Sequence, residues 1–342
     1  SGVCAQGGEA IFTGPLPTPG VAFVTKSLRA NAGVMISASH NSFEDNGIKI
    51  FDQYGIKLPD EVEAELEFLL DNPSSMPLMT GVNIGRARRV DEIRGRYIVF
   101  VKSVLDEKVN LEGLKIVLDC ANGAAWRMGP MIFEESGVEV IPLGITPNGI
   151  NINEKCGAIY PETCAKKVIE TSADLGICLD GDSDRLVLID HKGEIVAGDI
   201  TIGLLAKYLV EKKEFIGKEV VGTSMSNLGL ELFIKNLGFD FVRADVGDRY
   251  IIEKMLQNNS FFGGEPSGHI IMRNYSTTGD GILAALKILE LLKYKNQSLN
   301  ELKKEISLFP QTLKNYKMIS RIDFEKIEGL TDLMNQCQKD LG

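Results

Sequence analysis

The sequence predicts an α/β protein of more than one domain, with largely parallel or mixed sheets. Successive parts of the chain alternate apolar runs of strand length with stretches of helical spacing, which is the pattern of α/β domains. The chain has 342 residues, more than one ordinary hydrophobic core organises, so several domains are expected. A hydrophobic content of 44% and a charged content of 25% are typical of a globular protein.

Residues 1–92 are predicted to form the first domain. The prolines of the turn 14–20 fix φ and remove backbone donors, so the following helix is placed at 21–28. The run 33–36 is apolar throughout, which indicates a buried strand. A later helix has Pro59 in its first turn and an acidic face that is expected to be exposed. The strands expected in this domain are 9–13 and 33–36, and a second apolar patch, 48–51, follows the turn signal Asn46-Gly47.

Residues 93–197 are predicted to form the second domain, and a helix over 91–105 leads into it. The run 175–179 is apolar and ends in acidic residues, which indicates a buried strand that leads into a polar loop. The turn 191–193 joins two short strands in a hairpin. The expected elements are strands 114–119, 138–142, 175–179, 185–190 and 194–196 and helix 162–170.

Residues 198–310 are predicted to form the third domain, and residues 311–342 the start of a C-terminal domain. The helix predicted over 280–292 is nearly all apolar, so it is expected to lie at the centre of the third domain. The other expected elements are helix 200–212, strand 219–223, helix 228–236, strand 239–243, helix 248–256, strand 313–319 and helix 325–341.

Composition and charge restrict the partners and the compartment of the chain. The net charge of −10 argues against nucleic acid or an anionic membrane surface, although it permits a locally basic pocket for an anionic substrate. No apolar run is long enough to span a bilayer, and no signal peptide is visible. The six cysteines lack zinc-site spacing, and Cys120 and Cys178 are expected to be buried thiols. The cytoplasm is therefore the expected location.

A polar loop, residues 37–42, follows the apolar strand of the first domain, where open α/β sheets place their chemistry. It offers the hydroxyl of Ser39 beside the imidazole of His40, and the apolar patch 48–51 that follows offers the amine of Lys49. These groups could form an activated nucleophile. Alternatively, the loop is a capped turn whose side chains only satisfy backbone groups.

The segment 180–185, Asp-Gly-Asp-Ser-Asp-Arg, carries three carboxylates at alternate positions after a buried strand. In an extended loop, residues at i, i+2 and i+4 point the same way. Charges so close repel one another unless a cation neutralises them, and carboxylate oxygens suit Mg²⁺. An EF-hand is excluded because Arg185 and His191 stand where its loop needs Gly and Glu. A solvated acidic loop is the alternative.

A second polar loop, residues 263–268, separates two apolar runs. Glu265 and Ser267 could bind sugar hydroxyls, and the following His269 could move a proton. By itself this loop could equally be an ordinary turn.

Two arginines upstream of this loop, Arg243 and Arg249, could hold a phosphate group. They could instead pair with Asp245 and Asp248. The sequence lacks G-x-G-x-x-G, G-x-x-x-x-G-K-[ST] and G-x-S-x-G, so nicotinamide dehydrogenases, P-loop NTPases and standard α/β-hydrolases lose their main support.

Taken together and in this order, the loops resemble those of the alpha-D-phosphohexomutase superfamily. The motifs that carry the resemblance are S-A-S-H-N at 37–41, D-G-D-S-D-R at 180–185 and G-E-P-S-G-H at 264–269. V-G-D-R-Y at 246–250 and T-G-D-G-I at 278–282 make the chain most similar to the bacterial phosphoglucosamine mutases of that superfamily. The resemblance runs over essentially the whole chain and implies consecutive three-layer α/β domains.

The resemblance implies a mutase that interconverts glucosamine 6-phosphate and glucosamine 1-phosphate and feeds UDP-N-acetylglucosamine and cell-wall synthesis. In this family a phosphoserine passes its phosphoryl group to the sugar, the bisphosphorylated intermediate turns over in the site, and the other phosphate returns to the serine. The implied partners are a phosphorylated hexosamine, a hexose 1,6-bisphosphate as activator and a second copy in a homodimer, with no nucleic acid and no membrane.

The resemblance also implies roles for individual residues. Ser39 would be the phosphoserine, and one Mg²⁺ would be held by its phosphate with Asp180, Asp182 and Asp184. Lys49 and His269 would be the general base and acid, and His40 and Arg185 would support the phosphoserine. The substrate would be bound by Arg249, Glu265 and Ser267.

Three residues depart from the family pattern. Ser42 stands where Pro is usual, Ser183 replaces Gly or Ala, and Pro266 replaces the Gln typical of phosphoglucosamine mutases. Pro266 keeps a phosphomannomutase or phosphoglucomutase as an alternative. An aspartate-nucleophile phosphatase is disfavoured, because its D-x-D-x-[TV] pattern needs Thr or Val where Asp184 stands.

The family's opening segment and its C-terminal phosphate-binding loop have no counterpart in the sequence. The chain is therefore expected to be truncated at both ends, with residues 311–342 as the start of the phosphate-binding domain. Because that loop orients the sugar for transfer, weak or absent turnover is expected. A non-catalytic phosphosugar-binding fragment is the corresponding alternative.

Overall fold

Strands and helices alternate along the first of the two units into which the chain divides, Ser1–Phe309. The computed structural model describes residues 1–72, 76, 78–314, 327 and 329–341. The strands within these residues are β1 (Ala10–Phe12), β2 (Ala32–Ser37), β3 (Gly47–Asp52), β4 (Ala87–Arg89), β5 (Lys115–Asp119), β6 (Glu139–Leu143), β7 (Leu175–Leu179), β8 (Leu186–Asp190), β9 (Ile195–Val196), β10 (Glu219–Thr223), β11 (Asp240–Ala244), β12 (Phe262–Gly264) and β13 (Ile270–Met272).

The helices of the first unit, within the same described residues, pack around these strands. They are α1 (Gly2–Ala5), α2 (Thr18–Ser27), α3 (Asp60–Asp71), α4 (Ile93–Lys102), α5 (Met128–Glu135), α6 (Glu162–Thr171), α7 (Gly198–Glu211), α8 (Leu228–Asn236), α9 (Asp248–Gln257), α10 (Gly281–Lys295) and α11 (Leu299–Leu302). The second unit, Pro310–Gly342, contains α12 (Leu330–Leu341). Among the described helices, none combines the length and the apolar character needed to cross a bilayer.

The strands form mixed sheets. In the part of the chain that the structure describes, a five-stranded sheet has the order β6-β5-β7-β8-β9 and a four-stranded sheet the order β11-β10-β12-β13. Three neighbouring strands of each sheet are parallel, and the remaining strands are antiparallel. β2 pairs antiparallel with β3, and β1 pairs parallel with β4. The prediction of an α/β fold with mixed sheets is confirmed.

Several element boundaries differ from the prediction. The helix predicted over 21–28 begins earlier, as α2 at Thr18, because proline is tolerated in a first turn, where its missing N–H has no intrahelical partner. The short helix α11 was not predicted, although Ser298 and Glu301 form a capping box at its start. The predicted boundaries at residues 92 and 197 stay a prediction, since residues 1–309 form one unit.

Two predicted elements fall partly outside the described residues. The strand predicted over 313–319 does so from residue 315 onward, and residues 313 and 314 are not in a strand. The helix predicted over 325–341 is described from residue 329 onward, where it contains α12.

The run 33–36 lies in a strand, β2, as predicted, but the prediction that this strand is buried is wrong, because only one face of the β2–β3 hairpin is covered. Side chains alternate along a strand, so Val34 and Ile36 are 56% and 70% exposed while Phe51, opposite Gly33, is fully buried. Helix α2 approaches the covered face so closely that a Cβ on Gly33 would lie 2.1 Å from Thr25 Oγ1. An all-apolar run cannot reveal this difference between its two faces.

Helix α10 is buried over most of its length and packs against α4 and β8 as well as α7. Its burial was expected from its apolar composition, and its place at the centre of the third domain stays a prediction. Its buried residues include two charged ones, and Lys287 Nζ lies 2.8 Å from Glu290 Oε2. A charge is tolerated in a core only when it is paired, so this ion pair explains how both side chains are accommodated. The predicted burial of Cys120 and Cys178 is also confirmed.

A buried carboxyl joins α10 to α4. Asp280 caps the start of α10 by accepting a hydrogen bond from Leu283 N–H, and it accepts a second from the Tyr97 hydroxyl at 2.8 Å. Burial raises the pKa of Asp280 to about 6, because desolvation outweighs the hydrogen bonds to its charged form.

We expect the ionisation of Asp280 to destabilise the fold as the pH rises. The pKa of Asp280 in the folded state lies above its value in the unfolded state. Its contribution to the free energy of unfolding is therefore fully present at acidic pH and is lost as the pH rises through about 6. Asp280→Asn removes this titration and can keep both hydrogen bonds. The amide oxygen can accept from the Leu283 N–H, and the amide nitrogen can donate to the Tyr97 hydroxyl, which is able to accept. The free energy of unfolding of the variant relative to wild type should rise by about 2 kcal/mol between roughly pH 4.5 and pH 7.5 in urea titrations. A difference that does not change with pH would contradict this.

Candidate functional site

The loops that follow β2 and β7 contact each other through their main chains. The Gly181 N–H donates to the Ser39 carbonyl at 3.1 Å, and a Cβ on Gly181 would lie 2.5 Å from that oxygen. Only glycine therefore permits this approach. The contact brings Ser39, the predicted nucleophile, beside residues 180–185, the predicted metal-binding loop, which we call the metal loop. About 140 residues separate the two in the sequence.

Ser39 has a left-handed backbone conformation, with φ at 53°. Its N–H donates to Ser37 Oγ at 2.8 Å, which holds this sparsely populated conformation in place. The Ser39 hydroxyl accepts a hydrogen bond from Lys49 Nζ at 3.3 Å. The loop thus directs a partly exposed hydroxyl toward an amine.

Three carboxylates, those of Asp180, Asp182 and Asp184, are buried beside this hydroxyl. One oxygen from each lies within 4.8 Å of the others. Among the described residues, Asp180 Oδ2, Asp182 Oδ1 and Asp184 Oδ1 have no hydrogen-bond partner. Buried carboxylate oxygens without partners are costly, and hard oxygen ligands in this number fit Mg²⁺. The residues therefore fit a divalent cation.

The electrostatics of the carboxylates support that fit. Burial, followed by the negative charges of Asp184 and Asp182, raises the pKa of Asp180 well above its ordinary value. Burial also opposes ionisation of Asp184, but His269 and Lys49 outweigh it and hold the pKa of Asp184 well below its ordinary value. One carboxyl thus resists ionisation in the absence of further positive charge. A cation at the unpartnered oxygens would remove that penalty.

Lys49 is the cation that the protein itself supplies. Its Nζ lies 2.5 Å from Asp182 Oδ2 and 2.8 Å from Asp184 Oδ2. Burial alone would lower the pKa of Lys49, but the charges of Asp184 and Asp182 raise it above its ordinary value. Lys49 therefore carries its proton in this arrangement and donates to Ser39.

Two histidines border the carboxylates. His269 Nε2 accepts a hydrogen bond from the Gly279 N–H at 3.0 Å, so a neutral ring carries its proton on Nδ1, which lies 3.7 Å from Asp184 Oδ1. His40 lies on the Ser39 loop, and burial, followed by the charge of Arg185, lowers its pKa. Both rings are thus placed around the metal loop, with His269 the more deeply buried.

The third predicted loop, residues 263–268, contacts the chain directly after the metal loop. The Leu186 N–H donates to the Gly268 carbonyl at 2.9 Å, which ties the β12–β13 hairpin to the end of the metal loop. Ser267 Oγ donates to Glu265 Oε1, and Arg185 Nη2 lies 3.9 Å from the same oxygen. The structure therefore brings together the predicted residues of all three loops.

The two arginines have partners that the sequence did not indicate. Arg243 pairs with Glu231 at 2.8 Å, and Arg249 pairs with Asp60 and with Glu63 at 2.6 Å. Their side chains do not pair with Asp245 or Asp248, so that alternative is wrong. The acidic residues that bind Arg249 belong to α3, none of whose described residues is buried.

Arg249 nevertheless lines a cleft that extends to Lys49, the residue that donates to the Ser39 hydroxyl. The cleft has a volume of about 300 Å³. Its lining residues are Ile48, Lys49, Ile50, Lys57, Glu63, Gly247, Asp248, Arg249 and Tyr250. Lys57 pairs with Asp248 at the side of the cleft. The positive charges that line the cleft, those of Lys49, Lys57 and Arg249, are therefore each paired with a carboxylate of the protein.

Two residues that contact the loops were not predicted as part of the site. Asn153 Nδ2 donates to the carbonyls of Ser39 at 2.8 Å and Asn41 at 2.7 Å. Thr18 Oγ1 donates to Asp182 Oδ2 at 2.5 Å. Nothing in the sequence around Asn153 marks this contact. The prolines on both sides of Thr18 predicted a rigid turn over 14–20, and that turn gave no indication of this contact.

Comparison with known proteins gives consistent matches. Phosphoglucomutase/phosphomannomutase alpha/beta/alpha domain I matches residues 1–75, domain II matches residues 95–193, and domain III matches residues 197–309. A phosphoglucosamine mutase from Desulfotalea psychrophila is 48% identical to the chain, over 100% of the chain and 76% of the relative.

Two solved structures share the fold. A phosphoglucomutase/phosphomannomutase family protein from Burkholderia thailandensis superimposes with a TM-score of 0.77 at 22% identity, over 89% of this chain and 66% of that one. N-acetylphosphoglucosamine mutase from Aspergillus fumigatus, in complex with GlcNAc-6P and magnesium, superimposes with a TM-score of 0.63 at 18% identity, over 86% of this chain and 77% of that one.

We expect Mg²⁺ to stabilise the chain through the three carboxylates. At a free concentration of about 100 times Kd, binding at one site adds about 2.7 kcal/mol to the free energy of unfolding. Differential scanning calorimetry over a MgCl₂ series, with EDTA as the blank, should show a rising Tm that Asp182→Asn largely abolishes.

Asp245→Asn is the matched control, because Asp245 is an exposed carboxylate outside the cluster. Its Tm should rise with Mg²⁺ as in wild type. An unchanged wild-type Tm, or an equal loss of the effect in both variants, would contradict binding at the three carboxylates.

Proposed function

Since the chain belongs to the phosphoglucomutase/phosphomannomutase family and is most like its phosphoglucosamine mutases, we propose that it interconverts glucosamine 6-phosphate and glucosamine 1-phosphate. The family membership makes it an intramolecular phosphotransferase, an isomerase of phosphorylated sugars. The similarity to phosphoglucosamine mutases and the fold shared with N-acetylglucosamine-phosphate mutases support a phosphohexosamine as the substrate.

The observation that carries the proposal is the position of Ser39. Its hydroxyl lies within hydrogen-bonding distance of a protonated amine, on a loop joined directly to three buried carboxylates. A phosphoryl group on Ser39 would be next to the oxygens that can hold a cation. Phosphoryl transfer depends mainly on positioning and charge stabilisation, and this arrangement offers both.

In the proposed reaction, a sugar hydroxyl attacks the phosphorus of phosphorylated Ser39 and the phosphorus–Oγ bond breaks. Ser39 Oγ takes a proton from Lys49, and Lys49 takes the proton that the attacking hydroxyl loses. When the other phosphate of the bisphosphorylated sugar returns to Ser39, the same relay runs in reverse: Lys49 gives a proton to the sugar oxygen that leaves phosphorus and takes the proton that Ser39 Oγ loses. A single Mg²⁺ held by Asp180, Asp182 and Asp184, when bound, would neutralise charge on the transferring phosphoryl group. Lys49, at 3.3 Å, is placed for both proton transfers.

The other predicted residues take supporting roles in this proposal. His40 and Arg185 support the phosphorylated serine, and Glu265 and Ser267 bind the sugar. His269, predicted as a general acid, has both ring nitrogens directed at other groups, so we assign it to the support of Asp184. Arg249 binds a substrate phosphate after release from its acidic partners on α3.

The proposal extends to the surroundings of the reaction. A hexose 1,6-bisphosphate would prime Ser39, the product would enter the synthesis of UDP-N-acetylglucosamine and the cell wall, and the enzyme would act in the cytoplasm as a homodimer. These points rest on the similarity to phosphoglucosamine mutases.

We expect Ser39 to become phosphorylated when the chain is incubated with Mg²⁺ and glucose 1,6-bisphosphate. Intact mass and peptide mapping should place one phosphate on Ser39 in wild type and none in Ser39→Ala. Ser42→Ala, which removes an exposed hydroxyl from the same loop, should still be phosphorylated. A phosphate on Asp180 would instead support the aspartate-nucleophile phosphatase, and no phosphate would refute the serine mechanism.

We expect the amino sugar to be the preferred substrate. A single additional hydrogen bond to the amine, at about 1.4 kcal/mol, corresponds to about a tenfold higher kcat/KM than for a sugar that lacks it. Coupled assays with the 1-phosphates of glucosamine, glucose and mannose measure this ratio. Faster turnover of mannose or glucose phosphate would favour the phosphomannomutase or phosphoglucomutase alternative that Pro266 left open. Binding without turnover of any of them would favour a phosphosugar-binding protein.

A further inference from the structure

Thr18 connects the first turn of α2 to the metal loop. Its side-chain hydroxyl donates to Asp182 Oδ2 at 2.5 Å, and its backbone N–H donates to the Asp182 carbonyl at 2.9 Å. Both residues are fully buried. Two bonds between the same two residues fix the main chain and the side chain of Asp182 together.

These contacts give the two carboxylate oxygens of Asp182 different environments. Oδ2 accepts from Thr18 and from Lys49, whereas Oδ1 has no partner among the described residues and belongs to the set that fits a cation. An aspartate held by one oxygen presents the other in a fixed direction. Groups that hold a metal ligand in this way contribute strongly to metal affinity, even without touching the metal.

Lys49 cannot provide this orientation by itself. Its Nζ is shared among Asp182, Asp184 and Ser39, and the proposed reaction uses its proton. The Thr18 hydroxyl has one acceptor and takes no part in proton transfer. It is therefore the constant partner of Asp182.

The chain around Thr18 limits how far its hydroxyl can move. Pro17 and Pro19 flank it, and their rings fix φ on both sides. Threonine is also branched at Cβ, which restricts χ1. A hydroxyl on a rigid turn is the arrangement that places a supporting group precisely.

We propose that Thr18 is a positioning residue that sets the Mg²⁺ affinity of the site by orienting Asp182. The inference rests on the proposed function, in which Asp182 is a metal ligand, and it adds a residue from α2 to that site.

The test measures metal binding directly, by electron paramagnetic resonance with Mn²⁺ as the probe. Thr18→Val keeps the shape of the side chain and removes the donor, and it should raise Kd by about 10-fold to 100-fold, the range found when partners of metal ligands are removed. Thr18→Ser keeps the donor and should stay within about threefold of wild type, since it loses only the restriction on χ1. If Thr18→Val does not fold, Thr18→Ala takes its place with the same expectation.

Thr25→Ala is the matched control. Thr25 is buried on the same helix, but its hydroxyl donates to the Val21 carbonyl and does not reach the metal loop. Its Kd for Mn²⁺ should equal that of wild type, even if its Tm falls.

Three results would overturn the role of Thr18: a wild-type Kd in Thr18→Val, equal weakening in Thr18→Ser, or equal weakening in Thr25→Ala. In all three, wild type binds Mn²⁺, and the proposed function stands. If wild type binds no Mn²⁺ at all, the metal site of the proposed function is refuted, and the role of Thr18 with it.

Discussion

The mutual repulsion of three buried carboxylates is the constraint on which the site depends. Asp180, Asp182 and Asp184 lie between β7 and β8, away from water, where like charges are least screened. Lys49 compensates part of this charge from β3, on the hairpin whose opposite strand leads to Ser39. The ion pairs that compensate the charge of Asp182 and Asp184 therefore also hold the hairpin that leads to Ser39 beside the loop 180–185.

Main-chain contacts hold the three loops together. The Ser39 carbonyl accepts a hydrogen bond from the Gly181 N–H, and the Leu186 N–H, directly after the loop 180–185, donates to the Gly268 carbonyl in the loop 263–268. Backbone atoms have less freedom than side chains, so these bonds set the distances between the functional groups with little entropic cost at the moment of reaction. The loops come from distant parts of the sequence and all lie within the unit Ser1–Phe309, so the site forms only when these segments are brought together by folding.

The cleft explains how an acidic chain can accept an anionic substrate. The chain has a net charge of −10, yet Lys49, Lys57 and Arg249 line one cavity. Each of these cations has an acidic partner in the structure. A phosphate that displaces the acids from Lys57 and Arg249 would leave Asp248 and Glu63, whose side chains are 25% and 42% exposed, so neither becomes a fully buried unpaired charge.

The sequence by itself determined the fold class and the residues of the three polar loops. The periodicity of strands and helices is a local property of the sequence, and polar loops that follow apolar strands are recognised by their composition. Neither needs the tertiary structure. Only the tertiary structure decided which face of β2 is covered, that Arg249 pairs with α3, and that Thr18 and Asn153 reach the metal and nucleophile loops. These contacts join residues far apart in the chain, and nothing in local spacing encodes which distant segments will meet.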